Sequence, residues 1–167
     1  MTVRIRKAVV GDENALAELN DFVQEFHVAH NPSYFKRADL SEVALWFLGL
    51  LEKPNVRIWI AEQDGTHAGY AAVFLHERPA SPFCHKRRWI EIDQIGVRQE
   101  YRCSGIGRRL VDQTLRFARE ENIEDVELTS WCFNGDAHKA FQKIGFTPRL
   151  IRFEQKVIIK DDDGNPK

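Results

Sequence analysis

Cysteine is scarce: Cys84, Cys103 and Cys132 are the only three in 167 residues, an odd number without paired spacing. That argues against a disulfide framework and for a reducing, cytoplasmic setting. An excess of either charge is lacking too. Lys and Arg number 24 against 25 Asp and Glu, a net charge of -1, so there is no strong basic field to attract nucleic acid. Long apolar runs are missing: ALWFLGLL, Ala44 to Leu51, falls far short of the roughly 18 to 20 residues a membrane span requires. The N-terminal MTVRIRKAV carries no apolar signal segment. Neither a membrane nor a nucleic acid is expected as a partner. A G-x-S-x-G elbow is absent, which removes support for a serine hydrolase. His27 and His30 stand i, i+3, yet no HExxH pattern or carboxylate partner accompanies them, so no metal is expected.

What remains is ordinary soluble-domain material, 43% hydrophobic and 29% charged. At 19.4 kDa the chain can bury a sizeable core without staples. It has no repeat, low-complexity tract or internal linker, so one domain over residues 1–160 is expected, with a frayed tail at 161–167. Val3 to Ala8 alternates as a strand. Gly11-Asp12-Glu13 leads into a helix with Ala15, Leu16, Leu19, Phe22, Val23 and Phe26 on one face, and a second helix spans Leu40 to Leu51. Strands at Val56 to Ala61 and Ala68 to Leu75 flank Gln63-Asp64-Gly65, whose Asp-Gly pair predicts a hairpin. A loop with Pro79 and Pro82 precedes a strand from Trp89 to Val97. A helix from Gly105 to Glu121 turns Ile106, Leu110, Thr114, Phe117 and Ala118 inward. Then come a strand from Val126 to Trp131, a helix bearing Ala137, Ala140, Phe141 and Ile144 that Gly145 ends, and a strand from Arg152 to Ile159. This order predicts an α/β fold, a single mixed and partly antiparallel sheet flanked by helices.

The stretch VRQEYRCSGIGRRL, Val97 to Leu110, asks which phosphate it could hold. A P-loop needs Gly-Lys-Ser/Thr, whereas Gly107 precedes Arg108 and Arg109. A dinucleotide fingerprint wants a third small residue where Leu110 stands, so Gly105 and Gly107 give an NAD-dependent oxidoreductase little support. The physics common to both loops survives. Backbone N–H groups from Arg102 to Arg109 lie where a helix begins and its dipole is positive. Gly105 and Gly107 present no Cβ to an approaching pyrophosphate, and Arg102, Arg108 and Arg109 add charge. A plain helix start with glycines near its cap accounts for the same residues.

Arg102-Cys103-Ser104-Gly105-Ile106-Gly107 resembles the Arg/Gln-x-x-Gly-x-Gly/Ala signature of the Gcn5-related N-acetyltransferases. A second block, Asn134, Ala137, Phe141, Gly145 and Phe146, is similar to that family's N-x-x-A-x-x-x-Y/F-x-x-x-G-F element, and the order of elements matches along nearly the whole chain. The resemblance implies the acyl-CoA N-acyltransferase fold, acetyl-CoA as donor and direct transfer to an amine in a ternary complex. It implies that the strands at Trp89 to Val97 and Val126 to Trp131 splay around the pantetheine arm, with the main chain of Ile95, Gly96 and Val97 holding it and polarising the thioester. Asn134 and Phe141 would complete the cofactor site. Asn134 also reads as a helix N-cap, and Phe141 as core.

A protonated amine needs a base before it can attack, and Glu91 and Asp93 are the candidates. They are expected on the same side of their strand as Val97; the solvated alternative pairs them with Arg87 or Arg88. Glu91 matches the position used as base by the family's histone-modifying members, and apolar neighbours would raise its pKa. Tyrosine stands in many relatives where this chain has Phe141, so no general acid is carried over, and a CoA-binding sensor without turnover remains an alternative. His27, His30, Tyr34 and Phe35 fall in the segment that forms part of the acceptor wall in relatives. Cys103 and Cys132 would flank the cofactor as buried or idle thiols. Lys86-Arg87-Arg88 reads as a solvated charge run that could meet an acidic partner. The acceptor is a small-molecule amine or a peptide or protein amine. A homodimer is among the assemblies the resemblance implies.

Overall fold

The computed structural model describes residues 2–157. Two compact units divide the chain, Met1–Phe133 and Asn134–Lys167. The first contains β1 (Val3–Lys7), α1 (Glu13–His30), α2 (Leu40–Leu51), β2 (Val56–Gln63), β3 (Thr66–Arg78), β4 (Arg87–Val97), α3 (Ile106–Glu120) and β5 (Asp125–Leu128); the second holds α4 (Gly135–Ile144). The strands form one sheet in the order β1-β2-β3-β4-β5. β1 to β4 pair antiparallel and β5 joins β4 parallel, as the mixed pattern predicts. Among the described residues no helix is long and apolar enough to cross a membrane.

Local chemistry explains the elements. Asp64 and Gly65 both take positive φ, 49° and 83°, the conformation an Asp-Gly hairpin turn needs to match strand twist. Asp39 caps α2 through the Ser41 amide at 2.8 Å. Asp12 leads into α1 while gripping Arg6 with both carboxylate oxygens, at 2.7 and 2.9 Å, and accepting from the Val9 amide at 2.8 Å. Leu16, Leu19, Phe47, Leu50, Ile58 and Ile60 meet Tyr70 and Ala72 in the main core. Because paired residues share a sheet face, Ile58, Ile60, Tyr70 and Ala72 mark the α1 and α2 face. Trp59 lies on the other, edge-on to Phe117 of α3 at 6.0 Å.

One irregularity sets which way the residues of β4 point. The ladder of β3 with β4 runs Gly69↔Val97, Tyr70↔Gly96, Ala71↔Ile95 and Ala72↔Gln94, then jumps to Val73↔Ile92. Asp93 is therefore the extra residue of a β-bulge, and alternation reverses across it. Glu91, opposite Phe74, shares the α1 face with Gln94 and Gly96, while Val97, opposite Gly69, lies on the α3 face. The expectation that Glu91 and Val97 share one side is corrected here, since simple alternation cannot count an inserted residue.

Two strands also end differently from expectation. β5 stops at Leu128, short of Trp131, because its partner edge is lost where β4 bulges. Residues 152–157 form no strand: an alternating pattern favours the extended state, but only a paired ladder makes a strand. Residues 158–159 and the tail at 161–167 lie outside the described residues.

Candidate active site

β4 and β5 are paired from Trp89↔Asp125 to Ile92↔Leu128 and no further. Past that point β4 continues from Asp93 to Val97 with β3 on one side only. Its other edge, at Ile95, Gly96 and Val97, offers main-chain groups to an extended ligand.

At the end of that edge the chain turns through Gln99–Tyr101 into α3. Arg98 fixes the turn by donating its amide to Ala68 O and Nε to His67 O. The Arg102 amide bonds Gln99 O and that of Arg109 bonds Gly105 O, so these two ends of the expected run are spent. Among the described residues, the amides of Cys103, Ser104, Gly105, Ile106, Gly107 and Arg108 carry no backbone hydrogen bond. Gly105 sits at φ 86°, a left-handed setting for which glycine is suited. A Cβ built there would meet nothing within 4 Å outside its chain neighbours. Arg102 folds back to Val97 O at 3.2 Å, and Arg108 pairs with Asp112 at 3.5 Å. Cys103 and Cys132 are exposed rather than buried.

Upstream lie the carboxylates. Asp93 keeps one side open to solvent, but protein crowds the other. That burial first, and then the nearby charge of Glu91, hold its pKa above the ordinary carboxylate value, against a hydrogen bond from Gln94. Glu91 faces His76, whose Nε2 stands 2.9 Å from Oε2, at ion-pair distance though off the line of a hydrogen bond. His76 in turn stacks on Trp89 at 5.0 Å. Of the expected alternative partners, Arg87 is committed to Asp125 and Glu127 and Arg88 donates to Glu121 O at 3.4 Å, while Lys86 pairs with Glu77 at 2.8 Å. The basic triplet is thus internally engaged rather than a free patch.

Gln94, Tyr70 and Asn20 were missed by motif reasoning. The Asn20 amide donates to Tyr70 Oη at 2.9 Å, and the Tyr70 hydroxyl donates to Gln94 Oε1 at 2.8 Å. Tyr70 is fully buried and stays protonated, because desolvation raises its pKa well beyond the usual phenol range. Its fixed proton orients the Gln94 carbonyl, leaving the amide nitrogen for Asp93. An amide beside two carboxylates in an otherwise apolar strand was the signal available; for His76 there was none.

His27, His30, Tyr34 and Phe35 are brought together on α1 and the segment behind it. His27 stacks on Phe35 at 4.8 Å, and Tyr34 meets Phe35 edge-on at 5.0 Å. Burial, and then the proximity of His30, lower the His27 pKa. Among the described residues no group of three metal-ligating side chains occurs.

In the second unit, Asn134 caps α4 by accepting from the Ala137 amide at 3.3 Å. Gly145, at φ 114°, ends the helix; its amide and that of Phe146 both reach Phe141 O, a Schellman-type stop. Phe141 is only half-buried, against the expectation of core, and packs edge-on to Phe146 at 6.0 Å.

Comparison with known proteins agrees with this geometry. The chain is 27% identical over 110 residues to N-acetyltransferase family 8 member 2 of Rattus norvegicus, covering 66% of this chain and 45% of that protein. It is 26% identical over 103 residues to a putative [ribosomal protein bS18]-alanine N-acetyltransferase of Bacillus subtilis, covering 62% of each. The matched part thus spans less than half of the rat relative's own length. Among solved structures, a tetramutant of the BH1408 protein of Bacillus halodurans superposes with a TM-score of 0.87 at 21% identity, covering 92% of this chain and 99% of that one. The aminoglycoside N-acetyltransferase AAC(6')-Iy in complex with CoA does so with 0.73 at 16%, covering 93% and 96%. The model of the acetyltransferase (GNAT) family matches residues 18–146. A sheet opening past Ile92↔Leu128, a left-handed glycine starting α3 and a family match over most of the length together make this chain a member of the acetyltransferase (GNAT) family.

Proposed function

We propose that this protein transfers the acetyl group of acetyl-CoA to a primary amine by direct attack within a ternary complex. The observation that carries the reading is the opening of β4 from β5 beside six unbonded amides at the start of α3. An extended pantetheine arm suits the free edge at Ile95 to Val97, and a pyrophosphate suits the amides from Cys103 to Arg108 with Arg102 and Arg109 near. Acetyl-CoA supplies the activated acyl group. The main chain at Ile95 to Val97 polarises its carbonyl. The amine lone pair forms the C–N bond as the C–S bond breaks, the amine proton passes to a carboxylate, and CoA departs as a thiolate.

Asp93 serves as the base and Glu91 as its partner or relay. A carboxylate with a raised pKa accepts a proton more readily near neutrality than an ordinary one, and the hydrogen-bonded line Asn20, Tyr70 and Gln94 steadies it. Glu91, beside the His76 ring, supplies the negative charge that helps to lift Asp93. The exposed thiols suit a reducing, cytoplasmic setting.

Calorimetric titration with acetyl-CoA, with NADH as the control ligand, tests the reading. Saturable one-to-one acetyl-CoA binding that Gly105→Glu abolishes is expected. Failure to bind acetyl-CoA, or preference for NADH, overturns it. Binding without thiol release for any amine would leave a CoA sensor instead.

A further inference from the structure

We propose that the acceptor is a monoamine with a flat aromatic body, seated on a wall of rings beside the opening between β4 and β5; this rests on the acetyl-transfer reading above. The wall is assembled from two distant parts of the sequence. From α1 come Phe26 and His30, whose rings lie 4.2 Å apart. From the segment just past β5 come Trp131 and Phe133, stacked at 5.8 Å and 13°. His30 continues that column, stacked on Phe133 at 5.0 Å and 13°. Tyr34 and Phe35 close on Trp131 edge-on, at 5.0 and 5.2 Å.

Three observations fix the chemistry. First, these rings stand apart from the main core, which is built on Leu16, Leu19, Phe47 and Tyr70; Phe26, Phe35, Trp131 and Phe133 are half-buried, and His30 and Tyr34 are exposed, Tyr34 at 70%. A cluster of aromatic surface left this wet favours an apolar occupant. Second, the wall holds no carboxylate. Glu25, on the same helix, is bound to Arg37 at 2.9 Å, and His27 is held toward neutrality. A polyamine or aminoglycoside would need several free acids to meet its ammonium groups, whereas parallel rings offer stacking. Third, the wall adjoins the reaction edge. A Cβ at Gly96 would come within 2.6 Å of Val23, and His27 lies one helical turn beyond Val23 on the same stripe of α1. Trp131 follows the end of β5 by three residues. A ring on this wall therefore places its amine beside the open edge of β4 at Ile95 to Val97.

The test is thiol release from acetyl-CoA with 2-phenylethylamine, butylamine and kanamycin as acceptors, after acetyl-CoA binding has been measured. The expected result is a kcat/KM for 2-phenylethylamine at least about tenfold above that for butylamine, the worth of burying one ring face, and little turnover of kanamycin. Tyr34→Leu keeps apolar area but removes a ring, and Trp131→Phe keeps a smaller one; each is expected to cut the preference for 2-phenylethylamine at least about threefold, mainly through KM. Should Trp131→Phe fail to fold, the exposed Tyr34→Leu still decides. Equal use of butylamine, preference for kanamycin, or an unchanged preference in both variants overturns the proposal while acetyl-CoA binding stands. Absence of acetyl-CoA binding overturns the acetyl-transfer reading together with it.

Discussion

Replacing Gly96 by alanine tests the bulge at Asp93, since only an inserted residue turns Gly96 toward α1. A Cβ on Gly96 would lie 2.6 Å from Val23 Cγ2, and 3.0 and 3.2 Å from Cζ and Cε2 of Phe22. Carbon atoms rest about 3.5 to 4.0 Å apart, so the methyl enters roughly 1 Å too deep. The tip of Phe22 can swing by a few tenths of an ångström. Val23 cannot, because a β-branched side chain in a helix has one favoured rotamer and α1 is fixed to the core through Leu16 and Leu19. Overpacking of this kind costs about 1 to 3 kcal/mol, less up to about 1 kcal/mol regained from restricting glycine in the unfolded chain. The net cost of up to about 2.5 kcal/mol corresponds to a fall in Tm of as much as roughly 10 °C for a chain of this size. Thermal and urea melts of Gly96→Ala, Val23→Ala and the double variant measure it. Val23→Ala removes the clashing methyl, so the double variant should be more stable than the sum of the single losses by about 1 kcal/mol or more. Strict additivity in the cycle would refute the placement of Gly96 against α1 and with it the bulge.

Asp93→Asn should lower turnover by about 10²- to 10⁴-fold with acetyl-CoA affinity nearly unchanged, and Glu91→Gln should lower it less; steady-state kinetics beside calorimetry decide, and full activity in both variants removes both from the mechanism. Because the folded Asp93 pKa is raised, its favourable effect on stability is present below the ordinary 3.8 and is lost as pH rises through the folded value. Asp93→Asn should therefore be more stable than wild type at neutral pH, with the gain fading in acid in urea melts. Asp12 has the opposite sign: the Arg6 guanidinium holds its pKa below 3.8, so its contribution is present above that value and lost as pH falls through the lower one. Asp12→Asn should cost about 1 to 3 kcal/mol at neutral pH and progressively less in urea melts at more acidic pH. Asn134→Ala should cost about 1 kcal/mol, read as faster amide exchange at the start of α4.

The helices were legible because their signals are local. The second helix, expected at about Leu40 to Leu51, lies there, since Asp39 caps one end and the apolar stripe ends at the other. Gly105 and Gly145 mark the start of α3 and the end of α4 because both positions need positive φ, a property of single residues. The run of unbonded amides at the start of α3 was legible for the same reason: a helix start and its glycines sit side by side in the chain. Its width was not, because the bonds that spend the Arg102 and Arg109 amides depend on how the turn at Gln99–Tyr101 folds.

Contacts between distant segments were the blind part. Nothing near Glu91 in sequence names His76 as its neighbour, and nothing near Phe133 names His30. The half-buried Phe141 and the unpaired residues 152–157 fail for a related reason: apolar spacing shows what a segment can bury, and a partner surface decides whether it does.

The sequence alone determined the order of the elements, the hairpin at Asp64-Gly65, the caps and the glycine-led start of α3, since each follows from backbone preferences and side chains a few residues apart. Tertiary structure alone decided that β5 leaves β4 after Ile92↔Leu128, that burial and the charge of Glu91 raise the Asp93 pKa, and that α1 and the segment past β5 share one wall of rings. Those depend on ladder register, desolvation and packing between residues as much as a hundred positions apart, which only the folded sheet brings within reach of one another.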